Sequence, residues 1–184
     1  VTPAGNEIFV TREYFRLAGK PTLLKGYTYD RLPLTDSGEV KSGDRVEVVV
    51  TIEAKNNYEY LVFEDLKPAG LEAVEVRSGE SLYATELKSS AVERKFKKAE
   101  QSRIAAPPEQ QEDNTGRTRW VYQELRDRKV ALFIDKLPQG VWQIRYSLRA
   151  EVPGQFHALP LMGHAMYVPE IRANGEELRI RVTE

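Results

Sequence analysis

Residues 142–150 read Trp-Gln-Ile-Arg-Tyr-Ser-Leu-Arg-Ala, apolar and polar side chains in strict alternation. Successive side chains of a β-strand point to opposite faces, so Trp142, Ile144, Tyr146, Leu148 and Ala150 can be buried while Gln143, Arg145, Ser147 and Arg149 face water. The same period-two pattern places Val46, Val48, Val50 and Ile52 against Arg45, Glu47, Thr51 and Glu53, and Leu178, Ile180 and Val182 against Arg179, Arg181 and Thr183. Further β-branched or aromatic runs at Ile8–Leu17, Tyr58–Phe63, Trp120–Leu125 and Val130–Ile134 read as strands.

Turn chemistry lies between these runs. Ser42-Gly43-Asp44 precedes one strand, Arg126-Asp127-Arg128 separates two hairpin partners, and Asn174-Gly175 suits a turn with positive φ. An internal echo, D-x-x-P-x-G-apolar, occurs at Asp65–Leu71 and again at Asp135–Val141. Proline presets φ and glycine accepts positive values, so both stretches are expected to turn the chain sharply between strands. Many short strands without regular βα alternation point to a mainly β fold, an antiparallel β-sandwich.

The 184 residues fit a single domain. Charge is nearly balanced, 27 basic against 28 acidic side chains, so no overall field favours nucleic acid or anionic lipid. The absence of cysteine removes disulfides, thiolate metal sites, a cysteine nucleophile and an internal thioester. No apolar run approaches the roughly 20 residues of a membrane-spanning helix. The opening Val1-Thr2-Pro3 reads as a mature product or an excised piece.

The strand pattern breaks at about 84–118, which reads as an insertion. Its part from Thr85 to Arg103 is basic, and Glu93 and Lys97 have the spacing of a helical pair, so one short helix is expected around 85–103. Ala105-Ala106-Pro107-Pro108 would end it, and Glu109–Gly116 would form a polar surface loop.

Enzyme signatures are missing: there is no phosphate-binding G-x-x-x-x-G-K, no G-x-S-x-G and no H-E-x-x-H, and the chain is read as noncatalytic and without a cofactor. Glu64-Asp65 and Glu176-Glu177 sit beside turn signals and are expected to be exposed. Both histidines and both methionines fall within ten residues, and His157, Met162, His164 and Met166 are the candidate metal ligands, with copper the cation they suit. They have no recognised ligand spacing, and methionine commonly fills irregular packing, so packing is the preferred reading. His157, among Phe156, Ala158 and Leu159, is not read as a general base.

Five blocks in order carry a resemblance: Glu64–Glu72 (EDLKPAGLE), Glu124–Phe133 (ELRDRKVALF), Leu137–Trp142 (LPQGVW), Tyr146–Ala150 with Pro153–Phe156 (YSLRA, PGQF), and Ala165–Glu170 (AMYVPE). Together, over roughly residues 8 to 183, they resemble the C-terminal domain of bacterial α2-macroglobulin-like proteins. The resemblance implies a macroglobulin-type sandwich, counterpart of the receptor-binding domain of animal relatives, in a long chain that traps proteases. It further implies a periplasmic or outer-surface location, target proteases met through the parent, and sibling domains as partners, with a thioester domain as one candidate sibling. It makes the tract leading into Ala165–Glu170 a connection between the last two strands, with Met162, Met166, Tyr167 and Val168 as interface candidates. The segment from about Leu82 to Thr118 is longer than the usual family link. The alternatives are a cell-surface adhesion or glycan-binding sandwich using Tyr83 and Tyr167, and a His/Met copper-binding module.

Overall fold

The computed structural model describes residues 2–24, 26–74, 81–87 and 117–184. Its strands are β1 (Ala4–Gly5), β2 (Ile8–Thr22), β3 (Gly26–Leu34), β4 (Gly38–Lys41), β5 (Arg45–Ala54), β6 (Tyr58–Asp65), β7 (Leu71–Ala73), β8 (Leu82–Leu87), β9 (Thr118–Leu125), β10 (Val130–Leu137), β11 (Gly140–Ala150), β12 (Gly154–Ala158), β13 (Met162–Ala165), β14 (Arg172–Asn174) and β15 (Leu178–Thr183). Twelve of them make one continuous sheet in the order β1-β14-β13-β6-β10-β9-β8-β11-β5-β2-β3, with β7 beside β11. The sheet curls over at β8, which pairs β9 through Leu82–Thr85 and β11 through Ala84–Leu87. Two half-sheets result, β1 to β9 and β8 to β3 in that order.

The alternation seen in the sequence decides what lies between them. Trp142, Ile144 and Leu148 of β11, Val46, Val48, Val50 and Ile52 of β5, and Ile8 and Val10 of β2 join Leu61 and Phe63 of β6 and Val130, Leu132 and Ile134 of β10 in one buried cluster. Each such side chain contributes about 1.5–3 kcal/mol when fully buried. A three-stranded sheet, β12-β15-β4, adds Val40, Ala158, Ile180 and Val182 to the same cluster. Its β15–β4 pair is parallel, the one departure from an antiparallel sandwich among the described residues.

Both repeats of the D-x-x-P-x-G echo turn corners between half-sheets: Asp65–Leu71 leads from β6 to β7, which lies on β11, and Asp135–Val141 leads from β10 to β11. At the first, the Leu71 N–H bonds to the Pro68 carbonyl at 3.0 Å. At the second, Trp142 Nε1 donates to the Pro138 carbonyl at 2.8 Å and Gly140 takes φ +143°. Arg126–Lys129 closes the β9–β10 hairpin as expected, and Gly43 takes φ +91° in its turn.

Some expectations need correction. Asn174-Gly175 makes its turn without positive φ, tied instead by the Gly175 N–H to the Leu161 carbonyl at 2.8 Å. The stretch 84–87, assigned to the insertion, completes strand β8, and Thr85–Leu87 are strand rather than helix because they pair with Gln143–Val141 of β11. The rest of the expected helix and the loop after it, residues 88–116, lie outside the described residues.

Candidate functional site

The cluster at 157–166 is stranded rather than a loop, and the fold divides it. The tract expected to be a bare connection supplies β12, which pairs β15, and β13, which sits between β6 and β14. His157 therefore stands exposed on the three-stranded sheet, opposite Arg179. Met162 and His164 stand exposed on the large sheet, two residues apart on one strand. Among the described residues, no group of three His, Cys, Asp or Glu side chains is placed to hold a metal ion.

What the fold does assemble here is an apolar ridge. Gly163 and Ala165 point inward, Gly163 because a Cβ would lie 2.6 Å from the Phe63 ring, and this parity turns Met162, His164 and Met166 outward. Met166, Tyr167 and Val168 continue the ridge into the turn before β14, where the Ile171 N–H bonds to the Val168 carbonyl at 3.0 Å. The Met166 N–H bonds to the Tyr60 carbonyl at 2.8 Å, and the Tyr60 and Tyr167 rings meet edge to face, 5.2 Å between centroids. Tyr60 has φ +54°, a left-handed conformation that is unusual for a bulky residue. Met162, Met166, Tyr167, Val168 and Tyr60 are all exposed.

The core also holds a polar group that sequence reasoning missed. Asp65 is fully buried, not exposed, and accepts hydrogen bonds from Arg12 and from the Tyr146 hydroxyl. Arg12 also donates through Nη2 to the Ala158 and Glu176 carbonyls, both at 3.2 Å, and its guanidinium lies 5.1 Å from the centre of the Tyr14 ring. Burial acts to lower the Arg12 pKa, but the charge and hydrogen bond of Asp65 outweigh it and the net shift is upward. Burial, with the Asp65 charge added, pushes the Tyr14 and Tyr146 phenols well above their ordinary range. The available signal was parity: Arg12 follows Ile8 and Val10 on the inward face of β2, and Asp65 follows Leu61 and Phe63 on that of β6. Glu64, one step out of phase, faces outward and pairs with Lys129. Glu176 and Glu177 are exposed as expected.

This network fastens β2, β6, β11 and β12 to one another. The side chains of Arg12 and Asp65 are shut off from solvent, as suits a structural ion pair.

The family model described as the bacterial alpha-2-macroglobulin MG10 domain matches residues 8–170. The chain belongs to this MG10 family. An alpha-2-macroglobulin homolog of Nostoc sp. is 26% identical over 181 residues, a match covering 97% of this chain and 8% of the relative. The native alpha-2-macroglobulin of Escherichia coli, in a structure running from domain MG7 to the C-terminus, superposes with a TM-score of 0.60 at 23% identity, over 99% of this chain and 24% of that one. Salmonella alpha-2-macroglobulin reacted with methylamine superposes with a TM-score of 0.63 at 22% identity, over 100% and 10%. The present MG10 chain thus spans less than a tenth of the curated relative's length, and its homologues are domains of multidomain chains.

Proposed function

We propose that residues 1–184 are one macroglobulin-type domain, with an insertion at about 84–118, serving as a noncatalytic part of a bacterial protease trap. The domain packs against sibling domains of its parent through the ridge of Met162, Met166, Tyr167 and Val168, and supports the parent's conformational change. A thioester domain is among the siblings it can meet, the thioester itself requiring a cysteine this chain lacks. The parent works in the periplasm or at the outer cell surface.

The observation that carries this reading is the exposed apolar ridge held by the Tyr60–Met166 hydrogen bond and the Tyr60–Tyr167 ring contact. Large apolar side chains grouped in one place and ordered by backbone bonds suit a surface that another domain covers. The test mixes the full-length parent with a broad-specificity protease and compares cleavage of a small peptide with cleavage of a large protein. A trap protects the large substrate alone. Met166→Ser with Tyr167→Ser is expected to weaken that selective protection, and unchanged cleavage of both substrates by the wild-type mixture would refute trapping.

A second reading, glycan binding, is favoured by exposed Tyr83, Trp120 and Tyr122, with Tyr83 beside Trp120 across the β8–β9 pair. The Trp120 and Tyr122 rings are 6.0 Å apart but tilted by 55°, a poor platform for a flat sugar face. Retardation of the chain in gels containing soluble bacterial polysaccharide would support it.

A further inference from the structure

β2 and β3 run on together past the body of the sheet. β5 pairs β2 only from Ile8 to Leu17, whereas β3 accompanies β2 through Ala18–Asp30, Gly19–Tyr29, Lys20–Thr28, Pro21–Tyr27 and Thr22–Gly26. These five pairs form a two-stranded arm about 17 Å long at roughly 3.4 Å per residue.

The two faces of the arm differ. One carries Lys20, Thr22, Thr28 and Asp30, which satisfy one another: Lys20 pairs with Asp30, the Thr22 hydroxyl donates to the Gly26 carbonyl at 2.7 Å, and the Thr28 hydroxyl donates to the Lys20 carbonyl at 3.4 Å. The other carries Pro21, Tyr27 and Tyr29, the two rings lying beside Gly19. Tyr27 is 72% exposed, Tyr29 is 50% exposed, and Leu23 and Leu24 at the tip are completely so. A two-stranded ribbon is marginally stable alone in water, and wholly exposed leucines gain from being covered.

We propose that this arm is a docking element that lays its Tyr27–Tyr29 face and its Leu23–Leu24 tip in an apolar groove on another domain of the same parent chain. The proposal rests on the reading of this chain as one domain of a trap, and the occupant follows from three observations. The chain matches only 8% of its curated relative, so other domains make up most of such a protein. Lys20 and Asp30 neutralise each other, so along the described sides of the arm apolar contact rather than charge is the means of recognition. The apolar residues run along one side of the ribbon as well as over its tip, and a lipid surface entered tip-first would leave the tyrosine face unused. Among the described residues β3 pairs only with β2, so its outer edge also offers backbone groups to a strand from the same partner.

The experiment places a photoreactive probe, Tyr27→benzoylphenylalanine, in the full-length parent at high dilution, and the cross-linked peptides are read by mass spectrometry. The expected product joins position 27 to a residue outside 1–184 of the same molecule, in several-fold higher yield than the same probe at Thr28 on the opposite face. Leu23→Ser with Leu24→Ser should lower the yield at 27 several-fold and leave that of a probe at Tyr167 unchanged. Equal yields at 27 and 28, capture only of added phosphatidylglycerol vesicles, or capture only of a second copy would overturn the proposal. Cross-linking from 167 to a sibling domain with silence at 27 would sink the arm and spare the packing reading. Silence at both would refute both.

Discussion

The two corners D-x-x-P-x-G share their turn chemistry and differ in their aspartates. Asp65 follows Leu61 and Phe63 at the inward parity of β6 and meets Arg12 and Tyr146 in the core. Asp135 follows the inward-facing Ile134 on β10 and is exposed. One residue of phase separates a buried ion pair from a solvated side chain, since side chains alternate along a strand. Motif similarity therefore reports the bend of the backbone here, whereas the destination of a side chain depends on register.

The largest effect expected of this contrast comes from Asp65→Ala, which strands the Arg12 charge inside the sandwich. Loss of one partner of a buried pair costs about 3–5 kcal/mol. Asp135→Ala should change stability by less than about 0.5 kcal/mol. Urea unfolding of the 184-residue chain measures both, and equal costs would show that the corners do not differ as described.

The glycines sharpen the comparison at the next scale. A Cβ on Gly70 would lie 2.6 Å from Phe156 Cζ, so Gly70→Ala should cost about 1–3 kcal/mol through overpacking. Phe156→Leu in the same chain should recover part of it in a double-mutant cycle. A Cβ on Gly140 would lie 3.1 Å from Glu86 Oε1, the end of a flexible side chain, but its φ of +143° is unfavourable, so Gly140→Ala should cost about 1–3 kcal/mol chiefly through backbone strain, with little rescue from repacking.

The smallest effect concerns a third aspartate, Asp36, paired with an arginine like Asp65 but at the surface. Hydrogen bonds from Arg179 hold its carboxyl down to about 2. The folded pKa lies below the unfolded one, so the pair's small contribution is present above the ordinary carboxylate value of 3.8 and fades as pH falls toward about 2. Carbon-detected NMR titration should place the Asp36 midpoint near 2, and Arg179→Ala should move it up toward 3.8.

Much of the fold was legible because a half-buried sheet writes itself as alternation. The strands at 46–52, 142–150 and 178–182 bury the alternating residues expected of them, Leu178 only in part. The candidate ridge was legible only as residue types. Met162, Met166, Tyr167 and Val168 could be named, but not Tyr60, which lies about a hundred residues earlier and meets Tyr167 only because β6 pairs β13. The segment read as helix failed at its start because pairing with β11 and the Glu86–Arg117 ion pair hold 85–87 extended, which local charge spacing does not report.

By itself the sequence determined seven of the sheet-forming segments and the alternation of their faces, the turning points at Pro68–Gly70 and Pro138–Gly140, and the impossibility of a thioester within this chain. All are local properties, set by side-chain period, by φ preference, or by which residue types are present. Tertiary structure alone decided that β8 would join the two half-sheets, that His157 would part from Met162, His164 and Met166, and that Asp65 would find Arg12 and Tyr146. Those outcomes depend on which strands become neighbours, and that is settled by the whole chain sharing one core.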